Sequence, residues 1–175
     1  MILETPHIER IGQATFDVRE NANELGRVDL QGQKFFIGDG ASMLDAQGLM
    51  PVWMINPSRN TFLTYHADFG VQNAAFTQSA TTAGTGAAFL AGLTATDVAD
   101  YGTAVGSASL SGTANVWALR IGAAANVETV LTNGQINIHS GGLIVDDNNA
   151  AGRVNFDTTN LFFGDGTTPI EGMIY

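Results

Sequence analysis

The residues with the clearest chemical potential are carboxylates close to an arginine in the last third of the chain. Asp146 and Asp147 precede Arg153, and Asp157 follows it by four positions. Paired carboxylates at a workable separation are the machinery of glycosidases, and β-helical polysaccharide lyases use similar groups. Arg153 and Asp157 fall on one strand, however, where both can face outward. We therefore predict an ordinary surface ion pair between them and no catalytic residue.

A second candidate is the acid-rich turn 145–149, whose carboxylate and amide oxygens are ligands that calcium prefers. Asp and Asn are also favoured in ordinary turns. We interpret the segment as a loop between strands, and calcium binding by Asp146 and Asp147 stays open. Two Gly-Asp-Gly segments, 38–40 and 164–166, follow phenylalanine-containing strands and do not fit the glycine-rich calcium nonapeptide. We predict that they form the same turn at two levels of a repeat.

Histidines and tryptophans supply no further site. His7, His66 and His139 share no spacing typical of a metal centre, and His139 is expected on a solvated outward face. Trp117 shares the inward pattern of its strand, which predicts a core position, whereas Trp53 stays undecided between core and sugar stacking. No catalytic-triad motif, phosphate loop or dinucleotide fingerprint is present. We therefore expect no catalytic, cofactor-binding or metal-ligating residue, and no enzymatic activity.

Composition narrows the classes of partner. The 175 residues include 17 acidic and 7 basic side chains, for a net charge of −10, and only 14% are charged. A surface of this sign repels nucleic-acid phosphates and anionic lipid head groups, so neither is an expected partner. The chain has no cysteine and hence no disulfide framework. No segment approaches the roughly 18 continuous apolar residues of a membrane span, and the first residues lack an export-signal pattern.

Strand signals dominate the chain, which contains 21 glycines and few helix-forming runs. Residues 33–37 predict a strand that enters a turn at Gly38. Residues 51–65 predict two strands around the turn Asn56-Pro57-Ser58. Residues 74–115 are rich in Ala, Thr, Gly and Ser but carry too many spaced apolar residues for a tether. We predict short, irregular strands with wide loops there.

The most informative pattern is a repeat in residues 116–175. Short runs there alternate apolar and polar residues, and each ends at Gly, Asn or Asp. Shifts of 25 and 26 residues bring apolar positions into coincidence: Leu131 with Phe156, Ile136 with Leu161, Ile138 with Phe163, Trp117 with Leu143, and Leu119 with Val145. Periods of roughly 20 to 50 residues indicate solenoids or related arrays. A coil of about three short strands requires such recurrence, so we predict an all-β fold, a parallel β-helix.

Several motifs occur in an order that resembles a known family. They are the segments 115–122 (NVWALRIG), 132–145 (TNGQINIHSGGLIV), 163–166 (FGDG) and 171–175 (EGMIY), with PVW at 51–53, FLTY at 62–65 and GV at 70–71 upstream. The segments resemble passenger repeats of large autotransporter-type adhesins of planctomycetes and related bacteria, over about residues 38–175. The resemblance implies a right-handed β-helix in a surface or secreted protein. It carries over no catalytic residue.

The predicted organisation is an N-terminal strand/turn or capping segment, residues 1–33, and a passenger-like β-helix segment, residues 34–175. The second segment is expected to be irregular at 74–115 and regular at 116–175. Because 171–175 has a strand pattern with no polar cap after it, we expect an incomplete part of a longer coil.

The expected function is that of a structural or adhesive segment of a large secreted or cell-surface bacterial protein, without cofactors. A host or neighbouring cell surface, or a polysaccharide, is the expected partner. One alternative is a β-helix polysaccharide lyase or glycosidase. The other is a sugar-binding, tailspike-like module in which exposed aromatic rings contact the sugar.

Overall fold

The computed structural model describes residues 2–20, 25–26, 32–124, 127–146 and 152–175. The chain divides into two compact units, Met1–Ala75 and Phe76–Tyr175. The segment boundary predicted between residues 33 and 34 lies inside the first unit. Among the described residues, no helix is long and apolar enough to span a membrane.

The first unit is built from short strands in mixed pairing. Its strands are β1 (Ile2–Thr5), β2 (Phe16–Asp17), β3 (Lys34–Ile37), β4 (Met54–Asn56), β5 (Thr61–His66) and β6 (Gly70–Asn73), with a 3-10 helix at Gly40–Met43. β1 pairs with β3 and β2 with β4 in parallel, whereas β4, β5 and β6 are antiparallel neighbours. The β4–β5 hairpin confirms the two strands predicted around residues 56–58. The antiparallel strands differ from the coil that we predicted from residue 34 onward.

The core of the first unit lies between these strands and the loops that join them. Its buried apolar residues are Val18, Leu25, Phe35, Ile37, Met50, Met54, Leu63 and Val71. Strand β3 alternates half-buried Lys34 and Phe36 with buried Phe35 and Ile37, as expected for a strand with one face in a core. This confirms the strand that the sequence predicted at 33–37.

The second unit is a parallel β-solenoid. Its elements are β7 (Gln78–Ala80), α1 (Gly86–Gly92), β8 (Val98–Tyr101), β9 (Ala108–Ser109), β10 (Thr113–Val116), β11 (Ala118–Gly122), β12 (Glu128–Thr132), β13 (Gln135–Ile138), β14 (Gly142–Asp146), β15 (Arg153–Phe156), β16 (Asn160–Phe163) and β17 (Met173–Ile174). They form three parallel sheets, ordered β7-β8-β11-β14-β17, β9-β12-β15 and β10-β13-β16. Since successive strands enter the three sheets in turn, the chain winds through about three coils. The predicted all-β parallel coil is confirmed.

The strand register confirms the three residue pairs predicted at a spacing of 25. Leu131 pairs with Phe156, Ile136 with Leu161 and Ile138 with Phe163. The 26-residue alignment is wrong, because Leu119 pairs with Leu143 and Ile121 with Val145. The physical reason is a corner at Trp117, which separates β10 from β11. The sequence had suggested one continuous strand there.

The solenoid core is filled by inward side chains from all three sheets. Leu119, Ile121, Leu131, Ile136, Ile138 and Leu143 are fully buried, and Val154, Phe156, Leu161 and Phe163 of the last full coil are half-buried against them. Regular coils begin at β8, inside the stretch expected to be irregular, because β8 pairs residue for residue with β11.

Helix α1 was not predicted. It spans seven residues of Gly, Ala, Phe and Leu, in which the two glycines and the phenylalanine weaken the helix propensity of the alanines and the leucine. No side chain caps its N-terminus. Its Leu90 is fully buried in the solenoid core beside Leu93, so tertiary packing decides its conformation.

The two Gly-Asp-Gly turns differ, so the prediction of one repeated turn is wrong. Gly38 and Gly40 lack positive φ angles, and the chain continues from them into the 3-10 helix. Gly164 and Gly166 have φ angles of 132° and 91°, and the chain closes with an antiparallel bridge between Gly164 and Pro169. The shared tripeptide therefore reflects a shared turn composition.

Candidate functional site

The carboxylates proposed as a catalytic group lie at different corners of the solenoid. Asp146 ends β14 and is 7% exposed, whereas Asp157 is exposed in the bend after β15. All of β15 therefore lies between them along the chain. Asp147 and the rest of the predicted calcium turn at 147–149 lie outside the described residues.

No ion pair joins Arg153 to Asp157, so that prediction is wrong. Residues four apart in a helix are neighbours, but a strand rises roughly 3.3 Å per residue. The backbone positions of Arg153 and Asp157 are therefore about 13 Å apart if the strand stays extended. Both side chains are exposed, as the outward assignment expected.

The three histidines have separate surroundings. The Nδ1 atom of His7 contacts the Asp39 carboxylate, and the His66 ring stacks on Phe69 at 4.6 Å between centroids. His139 is half-buried, and its Nε2 lies 3.4 Å from Asn115 Oδ1, so it is less solvated than predicted. Within the described ranges, no three His, Cys, Asp or Glu side chains meet in a way that could hold a metal ion.

The two tryptophans are both half-buried, one in each unit. Trp53 is half-buried and packs against the core of the first unit. Trp117 is half-buried at the corner between β10 and β11, outside the solenoid core, so its predicted core position is wrong. The inward positions beside it are Val116 and Leu119, both fully buried.

Asp97 holds a turn before β8. Its Oδ2 accepts hydrogen bonds from the Thr94 backbone N–H at 2.8 Å and the Thr94 hydroxyl at 2.7 Å, and its Oδ1 accepts one from the Thr77 hydroxyl at 3.0 Å. Burial is the largest single influence on its pKa and opposes ionisation. The hydrogen bonds from Thr94, Thr77 and Gln78 together outweigh burial, so the pKa of Asp97 is lowered.

Asp165 organises the loop after β16. Its Oδ1 accepts hydrogen bonds from the Thr168 backbone N–H at 2.6 Å, the Thr167 hydroxyl at 2.7 Å and the Thr167 backbone N–H at 2.8 Å. These bonds, with the Thr168 amide first among them, lower the pKa of Asp165 to about 2. This carboxylate is therefore engaged with its own turn.

Asp100 and Arg120 form a bidentate ion pair between β8 and β11. Arg120 Nε donates to Asp100 Oδ1 at 2.8 Å, and Arg120 Nη2 lies 2.8 Å from Asp100 Oδ2. The guanidinium carbon lies 4.4 Å from the centroid of the Phe76 ring. The two contacts match the planar fork of the guanidinium to the two oxygens of the carboxylate. The pair also links two coils, because Asp100 and Arg120 are register partners.

A chain of amides lies on the outer face of the β10-β13-β16 sheet. Asn115, Gln135 and Asn137, which we call the amide face, point away from the core because Ala114, Val116, Ile136 and Ile138 point into it. Gln135 Nε2 donates to Asn137 Oδ1 at 2.6 Å, and Asn137 Nδ2 donates to Asn115 Oδ1 at 3.0 Å. The amides are thereby fixed relative to each other across two coils.

The amide face was missed from the sequence for a specific reason. Strand alternation places Gln135 and Asn137 on the face opposite Ile136 and Ile138, but their partner Asn115 lies 22 residues before Asn137, not 25. The coil from β10 to β13 is shorter than the coil from β13 to β16, so a single repeat length does not align the two asparagines.

No family model, curated protein or solved structure matches this chain. The class of protein is therefore defined by its fold and its candidate site. The chain contains a parallel β-solenoid of about three coils with an ordered polar face. Any more particular assignment rests on the side chains themselves.

Proposed function

We propose that this chain is a structural and adhesive β-solenoid segment of a large secreted or cell-surface bacterial protein, and that it performs no catalysis. The observation that carries the proposal is the use of acidic groups in the second unit. Asp97, Asp100 and Asp165 each bind a turn or a neighbouring coil. Groups committed in this way contribute to a stable scaffold and are poorly placed to exchange protons with a substrate.

The architecture supports a role in spacing and presentation. Each coil contacts its neighbours through continuous parallel pairing, which makes a solenoid a quasi-one-dimensional element with long lateral faces. Uncharged polar side chains on such a face can contact an extended partner along its length. These features are those expected of an adhesive segment exposed to solvent.

The enzymatic alternative has less support from the described carboxylates. Glycoside hydrolysis needs two carboxyl groups on either side of one bond, about 5 to 10 Å apart. Asp146 ends β14 and is 7% exposed, whereas Asp157 is exposed in the bend after β15. Because Asp146 is buried, it is poorly placed to act together with Asp157 on a substrate.

The test is a paired cleavage and adhesion assay on the whole chain. Neutral and acidic polysaccharides are incubated with the protein, and new reducing ends and unsaturated uronate products are measured. Beads coated with the protein are in parallel compared with albumin-coated beads for attachment to bacterial and host cells. We expect attachment above the albumin control and no products. Product formation that Asp157→Asn abolishes, or attachment equal to the albumin control, would overturn the proposal.

A further inference from the structure

We infer that the amide face, with the rings of Trp117 and Phe162 beside it, binds a neutral polysaccharide. This inference rests on the proposed adhesive function and names the chemical class of its partner. It depends on three properties of the face: a directed chain of amides, two aromatic rings outside the core, and the absence of carboxylates on its strands.

The amides leave one donor and one acceptor unused at the two ends of their chain. Hydrogen bonds run from Gln135 through Asn137 to Asn115. Among the described groups, none accepts from Asn115 Nδ2 and none donates to Gln135 Oε1. Bonds aligned in one direction polarise each other, which strengthens both ends. A sugar hydroxyl both donates and accepts, so hydroxyls of one glycan can satisfy both ends.

Aromatic rings lie on either side of these amides. Phe162 is the register partner of Asn137 on the next coil, and Trp117 lies two residues beyond Asn115 at the corner. Both rings are half-buried and outside the solenoid core. The exposed part of such a ring provides flat apolar contact for the C–H face of a pyranose.

The spacing of the coils suits an extended glycan. Asn115, Asn137 and Phe162 occupy one outward column on three successive coils. Adjacent strands are about 4.8 Å apart, which is close to the length of one sugar unit in an extended chain. Asn137, in the middle of this column, is only 4% exposed beside the loop 164–169. A glycan that runs along the solenoid axis therefore contacts Asn115 and Phe162, which are two coils apart and roughly two sugar units from each other.

Charge selects a neutral partner. The outward side chains of β10, β13 and β16 are all uncharged: Thr113, Asn115, Gln135, Asn137, Asn160 and Phe162. The chain as a whole carries a net charge of −10, which repels uronates and sulfated sugars at long range. The loop 164–169 adds a wall beside the middle of the face, because a Cβ on Gly166 would lie only 2.7 Å from Asn137 Nδ2.

The test is affinity electrophoresis of the whole chain in native gels that contain neutral polysaccharides (mixed-linkage glucan, xyloglucan, galactomannan) or acidic ones (alginate, polygalacturonate). We expect retardation by at least one neutral polysaccharide and by neither acidic one. Asn115→Asp keeps the oxygen that accepts from Asn137 but removes the donor, so it should weaken binding about tenfold with little change in melting temperature. Trp117→Ala should weaken binding as well, and Trp117→Phe should restore part of it.

The matched control is Asn155→Asp, the same change on the exposed face of β15 in another sheet. We expect this variant to bind like the wild type. Equal retardation of wild type and Asn115→Asp, preferential binding of the acidic polymers, or no retardation in any gel would overturn the inference. These outcomes concern the face alone, since the structural and non-catalytic proposal fails on product formation or on loss of cell attachment.

Discussion

Two leucines that face the core from different sheets and successive coils provide a direct test of the solenoid. Leu131 on β12 is fully buried and has paired strands on both sides, β9 and β15. Leu161 on β16 is half-buried, and among the described strands β16 pairs with β13 alone. Both face the core, so replacing each with alanine removes the same atoms from sites that differ in how many coils cover them.

The expected magnitudes follow from burial. Leu131→Ala removes a completely enclosed side chain between two coils, and such substitutions cost about 3 to 5 kcal/mol of unfolding free energy. Leu161→Ala removes apolar surface that is already partly in contact with water, and neighbouring atoms can move into the space. We expect about 1 to 2 kcal/mol for Leu161→Ala.

The assay is equilibrium unfolding in urea, followed by tryptophan fluorescence. The sequence contains two tryptophans, Trp53 in the first unit and Trp117 in the second. A Trp53→Phe background therefore makes fluorescence report on the solenoid alone, which matters because two compact units can unfold separately. The change in midpoint multiplied by the m-value gives the loss of stability for each leucine variant.

One result would refute the reasoning. If Leu161→Ala cost as much as Leu131→Ala, or more, then the number of covering coils would not determine the stability of an inward position. The stacking model requires a gradient from the middle coil to the last one. As a control, the m-value of each variant should equal that of the wild type, because the m-value changes when the surface exposed on unfolding changes.

Three further predictions concern the contacts between coils. Arg120→Met leaves Asp100, which is 9% exposed, without its ion-pair partner. We expect the unfolding free energy to fall by about 3 kcal/mol and to recover in part in the double variant Asp100→Asn/Arg120→Met. A double-mutant cycle measures both effects. The pKa values of Asp97 and Asp165 are below the ordinary 3.8, so both carboxylates stabilise the fold above about pH 4 and lose this effect as the pH falls through their lowered pKa values, which is about 2 for Asp165. The melting temperature should fall as the pH is lowered from 4, and less in Asp165→Asn. Gly134 and Gly106 both have positive φ angles, 60° and 79°, but only a Cβ on Gly134 meets a backbone atom, the Gly112 oxygen at 2.3 Å. Thermal unfolding should therefore show a larger loss for Gly134→Ala than for Gly106→Ala, which costs about 1 kcal/mol.

The sequence predicts the coils best where strand geometry leaves few alternatives. Apolar side chains at alternate positions must face one core, and parallel stacking requires them to recur at the coil length. The three pairs at a spacing of 25 residues, among them Ile136 with Leu161, are therefore confirmed. In β13, Ile136 and Ile138 are fully buried in the core, whereas Asn137 between them is buried on the other face, at 4% exposure.

The sequence fails where corners and tertiary packing decide. Trp117 continues an apolar alternation, but the chain bends there, so that its neighbours Val116 and Ala118 are buried instead. Helix α1 depends on the packing of Leu90 in the solenoid core, and the helix has no local capping signal in the sequence. Arg153 and Asp157 were correctly placed on a strand, but four residues of an extended strand span about 13 Å, which is too far for the predicted ion pair.

The number of residues in the corners between strands also affects the candidate binding face. In the sheet that contains β8, β11, β14 and β17, paired residues are 20, 24 and then 31 positions apart: Val98 with Ala118, Leu119 with Leu143, and Gly142 with Met173. The strands keep their register while the corners absorb the added residues, as loops on a rigid scaffold usually do. In the longest of these coils, the loop 164–169 lies beside Asn137 and is held in shape by Asp165. The greatest departure from the repeat thus adjoins the amides that we propose for glycan binding. A solenoid can vary its specificity at such a corner without disturbing the core that aligns Asn115 with Asn137.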